Sequence, residues 1–171
     1  HKQTTIPFYT YVCTTAPLEL DLKALLPTDL PVYDTQFQID YYRGVSKNRL
    51  LFGGEGTGSC WDAVQTHDYL LGRIQHVFPQ LKQVELDFVW SGTTDLTVNG
   101  ATDSRKFGNQ YPIYAVHGWS GHGVAQTIRI GKAIADDFLG LSDDFEMLTK
   151  IQHMNIPMGR ALAPIVIPIA K

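Results

Sequence analysis

The chain has 171 residues, 44% of them hydrophobic and 18% charged, with a formal net charge of −3. That length suits one ordinary domain with a real core, and the charged share lies below the roughly 25% usual in soluble domains. The mildly acidic balance without a basic run argues against a nucleic-acid footprint, and no apolar stretch nears the ~20 residues that a membrane helix needs.

Residues 7–15 are aromatic and β-branched and are predicted to form a strand. Residues 18–26 read as a short helical stretch closed by Pro27. A second strand is expected over 33–43, with Phe37, Ile39, Tyr41 and Arg43 on one face and Gln36, Gln38, Asp40 and Tyr42 on the other. Residues 45–48 form a hairpin turn to a third strand at 49–53. Residues 53–58 (GGEGTG) read as a loop. Ser59 to Asp62 has the shape of a capping box before a helix that ends at Pro79. Ala63, Leu70, Leu71, Ile74, Val77 and Phe78 lie on its apolar stripe.

A long strand is predicted over 86–98, with Leu86, Phe88 and Trp90 on one face and a bulge or close backbone approach at Gly92. Residues 111–116 form a continuous apolar run, as in a strand buried on both faces. After the turn at 117–123, a helix is expected over 124–139, with Val124, Ile128, Gly131, Ile134 and Phe138 as its stripe and Gly140 as its cap. A last helix starts near Ser142, with Asp143 and Asp144 in its first turn. The tail 161–170 is apolar and interrupted by Pro164 and Pro168. The fold class this implies is α+β.

Cys13 and Cys60 fit no metal-ligand spacing: Cys13 is expected to be a buried small hydrophobe and Cys60 to be accessible. Without a disulfide framework or a signal peptide, the expected compartment is the reducing cytoplasm. The chain opens at His1 without Met, which leads us to expect a fragment or a processed chain.

The loop GGEGTG matches neither the Walker pattern nor G-x-G-x-x-G, so a plain loop outweighs a phosphate cradle. His117 and His122 are five apart and His67 and His76 nine apart; neither pair has a ligand geometry, so no metal is expected. Ser120 lacks the flanks of a G-x-S-x-G elbow. Gly118, Gly121 and Gly123 keep side chains away from a strand–turn–helix junction. Such a junction either lets a planar or charged group approach a helix N-terminus or is a tight turn needing positive φ, and spacing alone leaves the two even.

Several segments resemble a known family in the order in which they occur. They are Thr15-Ala-Pro-Leu18, Tyr41-Tyr-Arg43 followed by Arg49-Leu-Leu-Phe-Gly-Gly54, Phe78-Pro-Gln-Leu81, and Trp90-Ser-Gly-Thr93. Ile113-Tyr-Ala-Val-His-Gly-Trp-Ser-Gly-His-Gly-Val-Ala125 and Gly131-Lys-Ala-Ile-Ala-Asp136 complete the set. Together, over about residues 8–160, they resemble the C-terminal part of FAD-dependent amine and amino-acid oxidoreductases. This is the glycine oxidase, sarcosine oxidase and D-amino-acid oxidase superfamily, and the γ-glutamylputrescine oxidase branch is the nearest in flavour.

The resemblance implies a mixed, largely antiparallel sheet flanked by helices, the substrate domain of the D-amino-acid oxidase-like fold, joined to the closing strand and helix of an FAD-binding α/β domain. On that reading residues 1–110 are the substrate-binding sheet domain, 111–140 the closing strand–turn–helix of the FAD domain, and 141–171 a C-terminal helix and tail. Ser120, Gly121, His122, Gly123 and Val124 would lie against FAD, and Tyr41, Arg43, Trp90 and Thr94 would line the substrate, with the catalytic residues unassigned. The expected partner is a missing N-terminal FAD-binding half, without which this chain would not retain FAD and would self-associate. No nucleic acid or membrane partner is expected.

Where glycine and D-amino-acid oxidases have a carboxylate-clamping arginine, this chain has Thr93 and Thr94. Ala125 stands where sarcosine oxidase has a lysine. The implied reaction is therefore hydride transfer to flavin from an amine or an N-substituted amino acid. The rival classes are a ligand-binding or assembly module that keeps the fold without the redox role, and, more remotely, a metal-dependent hydrolase using His117 and His122.

Overall fold

β1 (Thr5–Thr15) and β4 (Arg49–Thr57) form the middle of a five-stranded sheet ordered β2-β3-β4-β1-β5, with β2 at Val32–Tyr33, β3 at Tyr41–Val45 and β5 at Leu86–Thr97. β6 (Asp103–Phe107) and β7 (Ile113–His117) form a separate antiparallel pair. The helices are α1 (Leu22–Leu25), α2 (Ala63–Val77), α3 (Gly123–Phe138), α4 (Asp144–Thr149) and α5 (Gly159–Ile169). This computed structural model describes residues 3–36 and 39–169. The chain forms two compact units, one of Tyr9–Thr93 with Pro164–Lys171 and the other of His1–Phe8 with Thr94–Ala163.

In the first unit, Tyr11, Cys13, Leu50, Phe52, Leu70, Ile74, Phe78 and Leu81 make the core between the sheet and α2. Burial pushes the Cys13 thiol up to about 12, so it packs as a hydrophobe, while Cys60 is exposed; both are free thiols. The Tyr11 hydroxyl is buried but not orphaned. It pairs with Thr57 Oγ1 at 2.7 Å and the Ser59 carbonyl at 3.0 Å and accepts from Trp61 N–H at 3.0 Å, with the Trp61 ring stacked on it at 4.7 Å.

The expected strand over 33–43 is instead a hairpin in which β2 returns antiparallel on β3, Val32 opposite Tyr42. The cause is Asp34, whose carboxylate accepts from the N–H groups of Gln36 at 3.1 Å and Asp40 at 3.3 Å, bending the chain. Asp40 is buried and ion-paired to Arg73 of α2, and Tyr42, assigned to the same face, packs on Phe78 at the end of that helix. Phe37 and Gln38 lie outside the described residues. The turn at 45–48 forms as expected, with Lys47 and Asn48 at φ of 62° and 55°.

Of the run expected to be a loop, GGEGTG, all but Gly58 belongs to β4. Its first glycines answer to their neighbours rather than to a turn. A Cβ on Gly53 would overlap the Tyr41 ring, and one on Gly54 would come 2.7 Å from Asp40 Oδ1. The capping box lies three residues later than expected: Asp62 accepts from Gln65 N–H at 2.8 Å, and the Gln65 side chain accepts from Asp62 N–H at 3.2 Å. The Ser59 carbonyl is already held by Tyr11 and Thr57. Along α2 the expected stripe holds at Leu70, Ile74 and Phe78, whereas Ala63 is exposed in the first turn.

β5 forms, with Phe88 and Trp90 of the named face 63% and 44% exposed, while Leu86 and Val89 pack on the core. A Cβ on Gly92 would make an ordinary 3.6 Å contact with Thr10 Oγ1, so no close approach demands that glycine.

In the second unit the strand expected over 111–116 is covered on one face only. Tyr114 and Val116 of β7 pack on Ile130 and Ala133 of α3 and Phe145 of α4, while Ile113 is exposed. The helix after it is present, but of the stripe named for it only Ile134 packs inward, with Val124 91% and Ile128 79% exposed and Phe138 also outside. Helix α3 has two apolar stripes, and within this chain Ile130, Ala133 and Ile134 take the inner place. Gly140 caps it at φ 69°, with Leu141 N–H returning to the Asp136 carbonyl at 2.8 Å.

Helix α4 begins near its expected start, Ser142 Oγ accepting from Asp144 N–H at 3.1 Å. β6 was missed because its sequence, DSRKF, carries no apolar alternation. The tail read as broken is α5: each proline removes one N–H rather than the whole ladder, and Ala163 and Ile167 bury one face at i, i+4 spacing. Ala170 lies outside the described residues. No helix of the described residues is long and apolar enough to cross a membrane.

Asn48 ties the hairpin to the segment before α1. Its side chain donates to the Leu18 carbonyl at 2.7 Å and the Leu20 carbonyl at 2.8 Å, and accepts from Leu22 N–H at 3.0 Å. Asn48→Ala removes all three bonds and leaves a non-glycine residue at positive φ without the asparagine's tolerance for it, so it should destabilise the fold by about 2 kcal/mol. Urea unfolding checks this through a lowered midpoint at unchanged slope.

Candidate functional site

The turn between β7 and α3 is held from one side by the end of β5. The Asp95 carboxylate accepts from Gly118 N–H at 2.7 Å through Oδ2 and from Trp119 N–H at 3.3 Å through Oδ1. The Asp95 carbonyl accepts from Ser120 N–H at 3.0 Å. The Ser120 hydroxyl donates to the Gly118 carbonyl and accepts from Thr97 N–H, both at 3.3 Å. These bonds hold Gly118, Ser120 and Gly121 at φ of 74°, 50° and 82°. Gly118 has two reasons to be glycine, since a Cβ there would also overlap the Thr97 methyl.

Beyond Ser120 the turn closes with His122 N–H on the Trp119 carbonyl at 2.9 Å. His122 stands at the N-cap of α3 with no side-chain cap bond, and the helix ladder starts with Gln126 N–H on the His122 carbonyl at 3.1 Å. A Cβ on Gly121 would find no atom within 4 Å, and one on Gly123 would make only ordinary 3.6 Å contact with Trp119. The first-turn N–H groups of a 16-residue helix therefore have no side-chain acceptor, and Gly121 and Gly123 add no bulk beside them. That arrangement attracts an electron-rich oxygen or nitrogen.

Next to the turn lies a charge network that the sequence reading missed. Asp103 of β6 accepts from Arg105 Nε at 2.9 Å and from the Thr4 hydroxyl, and His117 Nε2 lies 3.2 Å from it. Chiefly through Arg105, its carboxyl is held well below the usual carboxylate range, and the Arg105 guanidinium is raised in turn. His117 thus faces a carboxylate and the Thr4 hydroxyl, while His122 is exposed. Among the described residues no three His, Cys, Asp or Glu side chains converge on a metal position. Lys106 and Tyr114 both bind Asp137 of α3, at 2.6 and 2.5 Å, tying the helix to both strands.

Of the sequence-predicted substrate-side residues, Tyr41 and Arg43 share β3. The Tyr41 ring covers Gly53, and burial pushes its phenol up. Arg43 is exposed, its Nε donating to the Gly44 carbonyl at 3.4 Å. Trp90 lies on β5 with β4 and β1 between it and β3, roughly 14 Å of sheet, so the structure does not bring it to Tyr41 and Arg43. Thr94 is half-buried and belongs to the other unit. Asp95 was missed as well. The signal available for it was an aspartate inside a strand pattern, where aspartate is rare unless it has a specific partner.

Residues 1–137 match the family described as FAD dependent oxidoreductase (DAO). Over 158 residues the chain is 34% identical to gamma-glutamylputrescine oxidoreductase of Escherichia coli (strain K12), covering 92% of this chain and 37% of that protein. It is also 34% identical to a probable oxidoreductase OrdL of Haemophilus influenzae over 155 residues, 89% of this chain and 33% of that one. Among solved structures, glycine oxidases from Geobacillus kaustophilus and Bacillus cereus align with TM-scores of 0.62 each at 23% and 18% identity. They cover 78% and 81% of this chain and 35% and 37% of their own. The α+β fold expected from the sequence is the one these structures share. The chain spans about a third of the length of the relatives it matches.

The Asp103 network gives a pH signature. Its folded carboxyl is depressed below the ordinary 3.8, so the stability it contributes is complete above that value and is lost as pH falls below it. Thermal midpoints measured from neutral to strongly acid pH should fall below about pH 4. In Asp103→Asn the midpoint should start lower at neutral pH and change less on acidification.

Proposed function

Because the chain belongs to the FAD dependent oxidoreductase family, we propose that it is the substrate-side part of an enzyme that oxidises a C–N bond of an amine or an N-substituted amino acid. The observation carrying this reading is the uncapped start of α3 behind a turn in which Gly121 and Gly123 carry no side chain. Its fit to a flavin rests on donor chemistry: backbone N–H groups and roughly half a positive charge of helix dipole suit the edge that gathers negative charge on reduction. Bound FAD would supply the hydride acceptor.

Gly121, His122, Gly123 and Val124 form the open face of the turn toward the cofactor. Ser120, whose N–H and hydroxyl are both engaged with the end of β5, is the fixed corner behind it. These groups need no rearrangement when charge develops, which is what makes such a dipole effective.

On the substrate side Tyr41 and Arg43, which share β3, are proposed as lining. Thr93 and Thr94 can hydrogen-bond a substrate but cannot clamp a carboxylate as an arginine does. That favours an amine, and the Escherichia coli relative is named for gamma-glutamylputrescine. The proposed partner is an N-terminal FAD-binding half lying outside this sequence. It would cover the outer stripe of α3, where Val124, Ile128 and Phe138 are exposed. Alone, the chain would not retain FAD and would self-associate through that stripe. The free thiols Cys13 and Cys60 suit a cytoplasmic enzyme.

Gly123→Val tests the reading with little disturbance of the turn, because φ there is not positive and a Cβ has room. In the longer enzyme this substitution should lower FAD affinity roughly tenfold or more by obstructing the approach to the helix end. The thermal midpoint of the 171-residue chain should stay near wild type. Wild-type FAD affinity and flavin spectrum in the variant would refute the assignment.

A further inference from the structure

The turn contains two concave sets of backbone N–H groups, and the chain fills only one of them. Gly118 and Trp119 direct consecutive N–H groups at a single carboxylate, one to each oxygen of Asp95. Ser120 N–H goes to the backbone of the same residue. The second set, at the start of α3, has no side-chain acceptor. Two anion-attracting positions thus lie a few residues apart, and an anion belonging to the protein occupies the first.

We infer that Asp95 is a positioning residue. It fills the N–H concavity at Gly118 and Trp119, fixes the corner at Ser120, and so leaves the α3 N-terminus as the one position in the turn open to an electron-rich group of a ligand. The inference rests on the flavin reading above for the identity of that ligand, but not for the clamp itself.

The chemistry requires a carboxylate. Each N–H meets its own oxygen of the side chain, and an amide in the same place keeps one of these acceptors and sets its NH2 against the other donor. The backbone bonds from Ser120 N–H and to the Ser120 hydroxyl remain when the side chain is removed, so the turn loosens at 118–119 rather than being lost. Trp119, packed on the Ile130, Ala133 and Phe145 cluster, keeps the far side of the turn anchored. Asp95 touches neither substrate nor cofactor in this account and acts only through the backbone it holds.

The test uses Asp95→Ala and Asp95→Asn, with formate as a replacement for the missing carboxylate. In the 171-residue chain, the amide resonances of Gly118, Trp119 and Gly121 should move in Asp95→Ala and return toward wild type when formate is added, with no formate effect on wild type. In the longer enzyme, Asp95→Ala should weaken FAD binding roughly tenfold or more, formate should restore part of it, and Asp95→Asn should fall between. Rescue of both readouts supports the inference. Unchanged FAD affinity in Asp95→Ala overturns it. So does loss of affinity without formate rescue in an Asp95→Ala protein that keeps its circular dichroism, because Asp95 would then serve the fold in general. If the chain responds to formate while the longer wild-type protein binds no FAD, the clamp stands and the flavin reading fails.

Discussion

A helix leaves its first N–H groups without partners in its own ladder, and at α3 the chain supplies no side chain to take them. The rest of the second unit is arranged around that unmet need. β7 brings the backbone to the turn, the end of β5 holds the corner, and Trp119 with Tyr114 and Val116 packs the helix against its strands. Further along the helix Asp137 binds Lys106 and Tyr114, fixing the axis along which the dipole points. An unfilled helix start is inexpensive when water reaches it and valuable when a ligand does, so this rigid surround is what gives it chemical meaning.

Glycine does two different jobs in the two units. In β4, Gly53 and Gly54 make room for the Tyr41 ring and the Asp40 carboxylate; Asp40 is buried, with its charge met by Arg73 of α2. In the turn, Gly118 and Gly121 supply positive φ, and Gly121 also leaves empty space in front of the backbone. Both runs read as loops in the sequence because spacing does not record which neighbour a missing Cβ would strike. Only three-dimensional contact separates a glycine that yields to another side chain from one that yields to a ligand.

The elements governed by local chemistry were legible: the 45–48 hairpin, α2, β5, α3 and the Gly140 cap are all present. Elements set by a distant or side-chain partner were not. Asp34 folds the 33–43 segment back on itself, β6 owes its place to pairing with β7, and α5 holds despite two prolines through its buried face. The inner stripe of α3 was read only at Ile134 because the helix is apolar on two sides, and periodicity ranks stripes without saying what covers each. The site was legible in its glycines and its family resemblance. Its anchor, Asp95, was not, since a lone aspartate in a strand pattern does not reveal that two N–H groups converge on it.

The central claim is that the open start of α3 meets the electron-rich edge of the flavin. The most direct measurement is a crystal structure of the longer enzyme with FAD bound. The account predicts that a pyrimidine-edge oxygen or nitrogen of the flavin lies within hydrogen-bond distance, about 3 Å, of a backbone N–H at Gly123, Val124 or Ala125, with Asp95 still holding Gly118 and Trp119. A flavin seated elsewhere, with the start of α3 covered by protein or facing solvent, would contradict it.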